Sequence, residues 1–429
     1  MCITVSFPTF APMYHLIVVG GGAAGFFAAI HAAKAVAHGG GRARVLILEQ
    51  GRRPLQKVRI SGGGRCNVTH AEFDPRELAA HYPRGRRELL GPFHRFGPGD
   101  TMAWFAERGV ETKIEADGRV FPVTDDSQSI IDCLRREATA LGVELALSSK
   151  VVGVERRATG FAVRRKDGTE ALSQNLLLAT GSAPQTYRWL AELEAPVVPP
   201  VPSLFSFNIA DAALHRRQGL SVTAARVTLE GFDAETRGSL LVTHWGLSGP
   251  AVLKMSALAA LHLHAADYVT TVRISWTGGA VAEVRDYLTE ARRAAGGTTL
   301  SRALGLPLPR RLWALLVERS GVPATARWGD LNATDLDAIV TAVANDAYAV
   351  RGQTRFKDEF VTAGGLDLKA LDFRTFGVRG EPGLYAAGEV LNVDGVTGGF
   401  NFQAAWTGGY LAGEAIGARI LKTASQRLT

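Results

Sequence analysis

Gly20, Gly22 and Gly25 stand in the spacing Gly-x-Gly-x-x-Gly, directly after the apolar run Leu16-Ile17-Val18-Val19 and directly before an alanine-rich stretch over residues 23–30. No other feature of the chain constrains its fold as strongly. A strand must turn sharply into a helix here, and the backbone must approach a pyrophosphate with no side chain between them, which is why glycine is needed. The helix then aims its unpaired N–H groups, those of Ala23 and Ala24 included, and its positive dipole end at the phosphates. With 48 glycines the chain could produce this spacing by chance, so the context carries the argument. A turn, Gly39-Gly40-Gly41, leads into a second strand, Val45-Leu46-Ile47-Leu48, which ends in Glu49 and Gln50. An acidic residue at the end of that strand is what a ribose with free hydroxyls requires.

A second glycine-rich segment at the far end of the chain completes the same site. Leu384-Tyr385-Ala386-Ala387-Gly388-Glu389 leads into Gly398-Gly399-Phe400-Asn401, which opens a helix expected over residues 403–416. Between the two ends, residues 52–67 read as a loop returning to the nucleotide. It carries Lys57 and the core Ser61-Gly62-Gly63-Gly64-Arg65-Cys66-Asn67, whose hydroxyl, guanidinium and amide can supply donors. The buried-type strand Asn175-Leu176-Leu177-Leu178 runs into Ala179-Thr180-Gly181, the form expected where a parallel sheet meets its ligand. Val152, in a strand over residues 150–154, joins these positions as a cofactor contact. A pocket assembled from both ends of the chain points to a flavin held for chemistry.

The middle of the chain has a different texture. The proline-rich run Val197-Val198-Pro199-Pro200-Val201-Pro202 marks a boundary. Alternating strands follow at residues 225–229 and 268–274, then a helical stretch over residues 281–349, then strand character near Phe360. The expected division is a first part of the cofactor domain over 1–195, an inserted β-rich substrate domain over 196–280, an inserted helical domain over 281–352, and the rest of the cofactor domain over 353–429. No second mononucleotide fingerprint occurs in the middle. NAD(P)H, if it serves as a transient reductant, must therefore borrow the substrate pocket.

At 429 residues the chain exceeds the size of a single core. It is 46% hydrophobic and 21% charged, ordinary globular material, and no apolar run is long enough to span a bilayer. The first 14 residues lack the basic start and cleavage site of a secretory signal, and Met13 is a candidate natural start. Cys2, Cys66 and Cys133 are odd in number and widely spaced, which fits a reducing cytoplasm, and no cysteine–histidine cluster has metal-ligand spacing. The net charge of +7 leaves nucleic acid open as a partner, yet the basic residues are scattered. Short clusters such as Arg84-Gly85-Arg86-Arg87 lack interleaved aromatics, so a small molecule is the expected partner. The oligomeric state is not legible.

These motifs, with Thr243-His244-Trp245-Gly246-Leu247-Ser248-Gly249-Pro250 and the segment 388–403, resemble the BaiN-like or YhiN-like flavoproteins, a group that includes aminoacetone-oxidase-like enzymes. The resemblance runs through nearly the whole chain. It implies an α/β, Rossmann-like two-dinucleotide-binding-domain flavoprotein, with a glutathione-reductase-like FAD domain and inserted β-rich and helical domains. It further implies reduction of conjugated double bonds in steroid-like acids or oxidation of small amines. Phe400-Asn401-Phe402 stands where the family more often has Tyr-Asn-Leu.

The expected chemistry follows from where charge develops. When a flavin accepts a hydride, negative charge accumulates near N1 and the C2 carbonyl, and N–H groups at a helix N-terminus stabilise it. The segment 398–401 is the candidate array, and Glu389 is placed by the ribityl chain or pyrophosphate. His244 is the candidate acid–base group and Cys66 the candidate redox thiol. The expected activity is FAD-dependent hydride transfer with a small organic substrate, in the cytoplasm. A flavin-containing RNA-modifying or RNA-binding protein is the competing class.

Overall fold

The computed structural model describes residues 13–353 and 361–426. Cys2, Phe360 and the leader before Met13 lie outside them. The chain divides into two compact units, with crossings at 200/201 and 360/361.

The first unit is built on a parallel sheet. Tyr14–Val19 lies between Val45–Leu48 and Glu170–Leu178, parallel to both. Glu144–Ala146 extends the sheet beyond Val45–Leu48, and Leu384–Ala386 extends it beyond Glu170–Leu178. These strands read as continuous apolar runs because both faces are covered: Leu16, Ile17, Val18 and Leu176 to Leu178 are fully buried. The register Val19↔Leu178 and Leu178↔Ala386 brings three strand ends together, so segments from opposite ends of the chain meet at one edge of the sheet. A hairpin, Val151–Arg157 with Gly160–Arg165, joins the sheet through antiparallel pairing with Glu170–Leu178.

Two helices organise the site. The first, Ala23–His38, packs along the C-terminal helix, Phe400–Gln426. A Cβ added at Gly409 would lie 2.8 Å from the Ala24 carbonyl oxygen, and one at Gly413 2.7 Å from that of Ala28. One at Gly417 would lie 3.1 Å from that of Ala32. The pairing advances in the same sense on both helices, so they run parallel with backbones in contact. Phe400 precedes Gly409 by nine residues, and at 1.5 Å per residue the C-terminal helix begins roughly 13 Å before the level of Ala24. The helix is longer than the expected 403–416, and its glycines serve as contact positions against the first helix.

Within the second unit, Phe207–Ile209, Gly246–Ser248, Phe232–Val242, Ser221–Leu229, Val269–Ser275 and Asp346–Gln353 close into a barrel in that order. The expected split of the insert at 280/281 does not appear. Leu312, Leu316, Ile339 and Val343, on the helices Arg310–Ser320 and Ala333–Ala344, share one core with Val227, Leu240 and Val272 of the barrel. The helical stretch also ends earlier than expected, because residues 346–353 form the strand that closes the barrel. The proline run forms an extended strand, Val197–Ser203, paired with Val361–Leu366, and the crossing between units falls inside it. Among the described residues, no helix is long and apolar enough to cross a membrane.

Candidate functional site

The first glycine turn is shaped by three different steric demands. Gly20 has φ +112°, and a Cβ there would stand 2.3 Å from the Ala179 carbonyl oxygen, so neither the dihedral nor the neighbouring strand end admits a side chain. At Gly25 a Cβ would lie 2.0 Å from the Gly20 carbonyl oxygen, which seats the helix on its own turn. Gly22 differs: no atom lies within 4 Å of its would-be Cβ. It caps the first helix without a side-chain hydrogen bond, and the first turn, which includes Ala23 and Ala24, has no acidic residue. A turn closed on two sides and open on the third, with free N–H groups beside the opening, fits an anionic group.

Glu49 is half-buried at the end of its strand and accepts hydrogen bonds from Gly21 N–H (2.8 Å) and Gly51 N–H (2.6 Å). It fixes the turn while leaving acceptor capacity on both oxygens. Gln50 beside it is exposed. The chain then returns to the turn through Leu55, whose N–H donates to the Gly21 carbonyl.

Residues 52–67 were expected as a loop, and the structure corrects this: Gln56–Ile60 is a short helix and Ser61–Gly64 a 3₁₀ turn. Lys57, on that helix, forms an ion pair with Glu389. Gly62 and Gly63 are exposed, and Ser61 donates its hydroxyl to the Val58 carbonyl. Arg65 does not serve as a free donor. Its guanidinium pairs with Glu115 at 2.6 Å, meets Asp125 at 3.4 Å and stacks on Phe121 at 3.9 Å. Asn67, with its amide oriented to satisfy both ends, donates to the Thr69 carbonyl and accepts from Gly399 N–H, each at 3.0 Å. It ties this segment to the second glycine turn, 332 residues downstream by number.

Cys66 is fully buried, and burial pushes its thiol up to about 12. A buried thiol held protonated is a weak nucleophile, so the structure places Cys66 in the core and gives no support to the expected redox role. His244 lies in the second unit, exposed between two barrel strands, with its ring edge-on to Trp245 at 4.2 Å. Among the described residues of that unit, none orients it as an acid–base group. Val152 is half-buried and faces a polar cleft of about 430 Å³ lined also by Arg164, Arg188 and Trp189; none of the turn glycines lines that cleft.

The far end of the chain brings Gly388 against the first helix, where its Cβ would lie 3.1 Å from that of Ala24. Glu389 also accepts from Thr362 N–H at 3.1 Å. A Cβ at Gly181 would sit 3.5 Å from the Glu389 carboxylate, which places Ala179, Thr180 and Gly181 beside it. Thr180 accepts a hydrogen bond from the Thr186 hydroxyl at 2.7 Å. The neighbouring Tyr187 hydroxyl is buried and has no hydrogen-bond partner among the described residues. Burial, together with the Glu389 charge, raises its pKa.

At the second turn Gly398 and Gly399 have φ +133° and +94°, and the C-terminal helix begins at Phe400 with no acidic residue in its first turn. Asn401 is a brace: its amide accepts from Gly395 N–H and donates to the Gly395 carbonyl, both at 2.9 Å. Sequence reasoning missed several residues that support this turn. Gln403 is fully buried among Thr69, Thr101 and Thr407, and Trp406 donates to the Val68 carbonyl at 2.9 Å. Asp394, completely buried, pairs with Arg84. A lone buried glutamine and an aspartate with its partner 310 residues away leave no local sequence signal.

Two parallel helices thus present N-termini entered by glycine turns, with an open approach at Gly22 and an orphaned buried hydroxyl at Tyr187. This donor-rich surface fits an extended nucleotide cofactor with anionic and hydrogen-bonding parts. Among the described residues, no group of His, Cys, Asp or Glu could hold a metal ion.

Residues 14–415 match the HI0933-like protein Rossmann domain. The chain is 30% identical to a ribosomal RNA dihydrouridine synthase of Escherichia coli over 92% of its length and 96% of that protein's. It is 28% identical to a 3-dehydro-bile acid delta(4,6)-reductase of Clostridium scindens, over 95% of its own length and all of that protein's. Among solved structures, the 3-ketosteroid delta1-dehydrogenase of Sterolibacterium denitrificans matches with a TM-score of 0.51 at 12% identity, covering 95% of this chain and 100% of that one. The 3-ketosteroid-delta4-(5alpha)-dehydrogenase of Rhodococcus jostii matches with 0.50 at 16%, covering 96% and 98%. At such identities these structures speak to the fold alone.

Proposed function

The chain belongs to the HI0933-like protein Rossmann domain family, and from that membership we propose that it is an FAD-dependent oxidoreductase acting on a ring carbon–carbon double bond conjugated with a carbonyl. The observation that carries the reading is the pair of parallel helices in contact, each entered by a glycine turn and each without an acidic residue in its first turn. Two full-length relatives support the substrate class. One is named for making dihydrouridine and the other for reducing a bile-acid dienone, and both reactions saturate a ring double bond activated by a carbonyl.

When bound, FAD supplies hydride transfer. The N–H groups of residues 22–24 would hold the pyrophosphate, and the open space at Gly22 would allow close backbone approach. Glu49 holds the turn and would accept from a ribose hydroxyl. The first turn of the C-terminal helix would supply its dipole and backbone N–H groups to stabilise negative charge on the ring system. Lys57 and Glu389 close the site beside Thr180 and Gly181.

The test is direct. Purified protein should be yellow and should release FAD on denaturation; colourless protein that cannot take up FAD sinks the reading. Anaerobic mixing with NADH or NADPH should bleach the flavin, and a cyclic enone should restore its colour. Bleaching by small amines with recolouring by oxygen would replace the reductase by an oxidase.

A second reading narrows the substrate to a uracil within ribosomal RNA. It is favoured by the 30% identity to a ribosomal RNA dihydrouridine synthase and by the net charge of +7. Reduced protein incubated with unmodified ribosomal RNA should then form dihydrouridine, with binding that weakens steeply as salt rises. Turnover of free enones with none on RNA excludes this narrower reading.

A further inference from the structure

Residues 81–85, whose last two belong to the basic cluster Arg84-Gly85-Arg86-Arg87, contact the second glycine turn through His81, Tyr82, Arg84 and Gly85. The His81 carbonyl accepts from Val396 N–H at 3.0 Å. The Tyr82 hydroxyl donates to the Phe400 carbonyl at 2.6 Å, and Tyr82 is itself buried. Arg84 meets Asp394 through two parallel donors, Nε to Oδ1 and Nη2 to Oδ2, while the backbones of the same two residues form an isolated antiparallel bridge. Gly85 lies against Val393, where a Cβ would be 2.8 Å from Cγ2. The His81 ring also stacks on Phe400, with centroids 4.2 Å apart and planes 16° apart.

We propose that residues 81–85 are a positioning strap, anchored by the Arg84–Asp394 pair, that orients the second glycine turn and the start of the C-terminal helix so as to set the affinity and redox potential of the flavin. The proposal rests on the flavin reading above. Its physical basis is that these contacts fall on residues 393–400, the stretch whose dihedrals decide where the first helical N–H groups point. A buried ion pair contributes little net stability compared with apolar packing of similar volume, but its fork geometry fixes orientation tightly. It also has an electrostatic consequence. Asp394 stands six residues before the helix start with its carboxylate fully buried. Without Arg84 that charge would oppose negative charge on the reduced flavin.

The experiment uses the full chain with its flavin and reads flavin content, the visible absorption spectrum and the midpoint potential. Arg84→Gln should lower flavin retention and shift the potential to more negative values, and Arg84→Lys should recover most of both. Should Arg84→Gln fail to fold, the double variant Arg84→Gln/Asp394→Asn decides, since it leaves no unpaired buried charge. It should still show a perturbed spectrum and a smaller negative shift. The control is Arg108→Gln/Glu137→Gln, which removes another ion pair of the same unit (2.8 Å) and should leave spectrum and potential unchanged. An unshifted spectrum and potential in the folded Arg84 variants overturn the strap, as does an equal shift in the control. Wild-type protein that cannot hold flavin overturns the flavin reading and the strap together.

Discussion

The two glycine turns perform the same structural task, bending the chain into a helix whose N-terminus faces the site, but they are held in opposite ways. The first is fixed mainly by neighbours: Gly25 rests on Gly20, and Glu49, only 28 residues from Gly21, bonds its N–H. The second is fixed by residues on the far side of the sequence. Asn67 accepts from Gly399, Tyr82 donates to Phe400, and Arg84 pairs with Asp394 across 310 residues. The comparison teaches that similar glycine-rich spellings can conceal a local device in one place and a tertiary one in another.

The largest expected effect breaks the local device. Gly25→Ala places a methyl 2.0 Å from the Gly20 carbonyl oxygen and should destabilise the first unit by about 3 kcal/mol, visible as a lower thermal midpoint. Gly22→Ala has open space and should melt nearly as wild type while losing flavin. If both variants melt alike, the distinction between a packing glycine and a ligand-facing one fails.

Next in size is the contact that couples the two helices. Gly413→Ala brings a methyl to 2.7 Å from both the Ala28 carbonyl oxygen and His31 Cβ. It should cost about 2 kcal/mol in chemical denaturation. A neutral result would mean that the helices separate without penalty.

Stability should also depend on pH through His31, buried on the first helix near Glu414. Burial lowers its pKa, and the Glu414 carboxylate opposes that shift only in part. Because the folded state holds this imidazole neutral, the unfolded state binds more protons once pH drops below about 6.5. The His31 contribution is therefore complete above that value and is lost as pH falls toward the folded pKa. Denaturation midpoints measured across this range should decline for wild type and decline less for His31→Gln.

Tyr82→Phe removes one hydroxyl from the second turn and should cost about 1 kcal/mol while leaving the fold intact. The smallest effect is expected at Cys66, where replacement by Ala should leave the rate of flavin reduction unchanged. A large loss there would return the thiol to the chemistry.

Much of the cofactor unit was legible because its signals are local. The apolar runs at residues 16–19, 45–48 and 175–178 are strands, and the glycines between strand and helix mark the turn. The insert was less so. Periodicity distinguished its strands from its helices, but a shared core is a property of contacts, so the helices read as a separate domain. The short helix at Gln56–Ile60 was hidden by the glycines that follow it. Arg65 and Arg84 illustrate the same limit at the site: both looked like available cations, and both are committed to carboxylates remote in sequence.

By itself, the order of residues determined the strand-turn-helix that begins the fold and the acidic strand end at Glu49, because each rests on backbone sterics and hydrogen bonding within a few dozen residues. Only the tertiary structure decided that Gly409, Gly413 and Gly417 lay the C-terminal helix along the first, that Cys66 is fully buried, and that residues 81–85 contact the second turn. Those outcomes depend on burial and on pairings across hundreds of residues, which exist only once the chain has closed on itself.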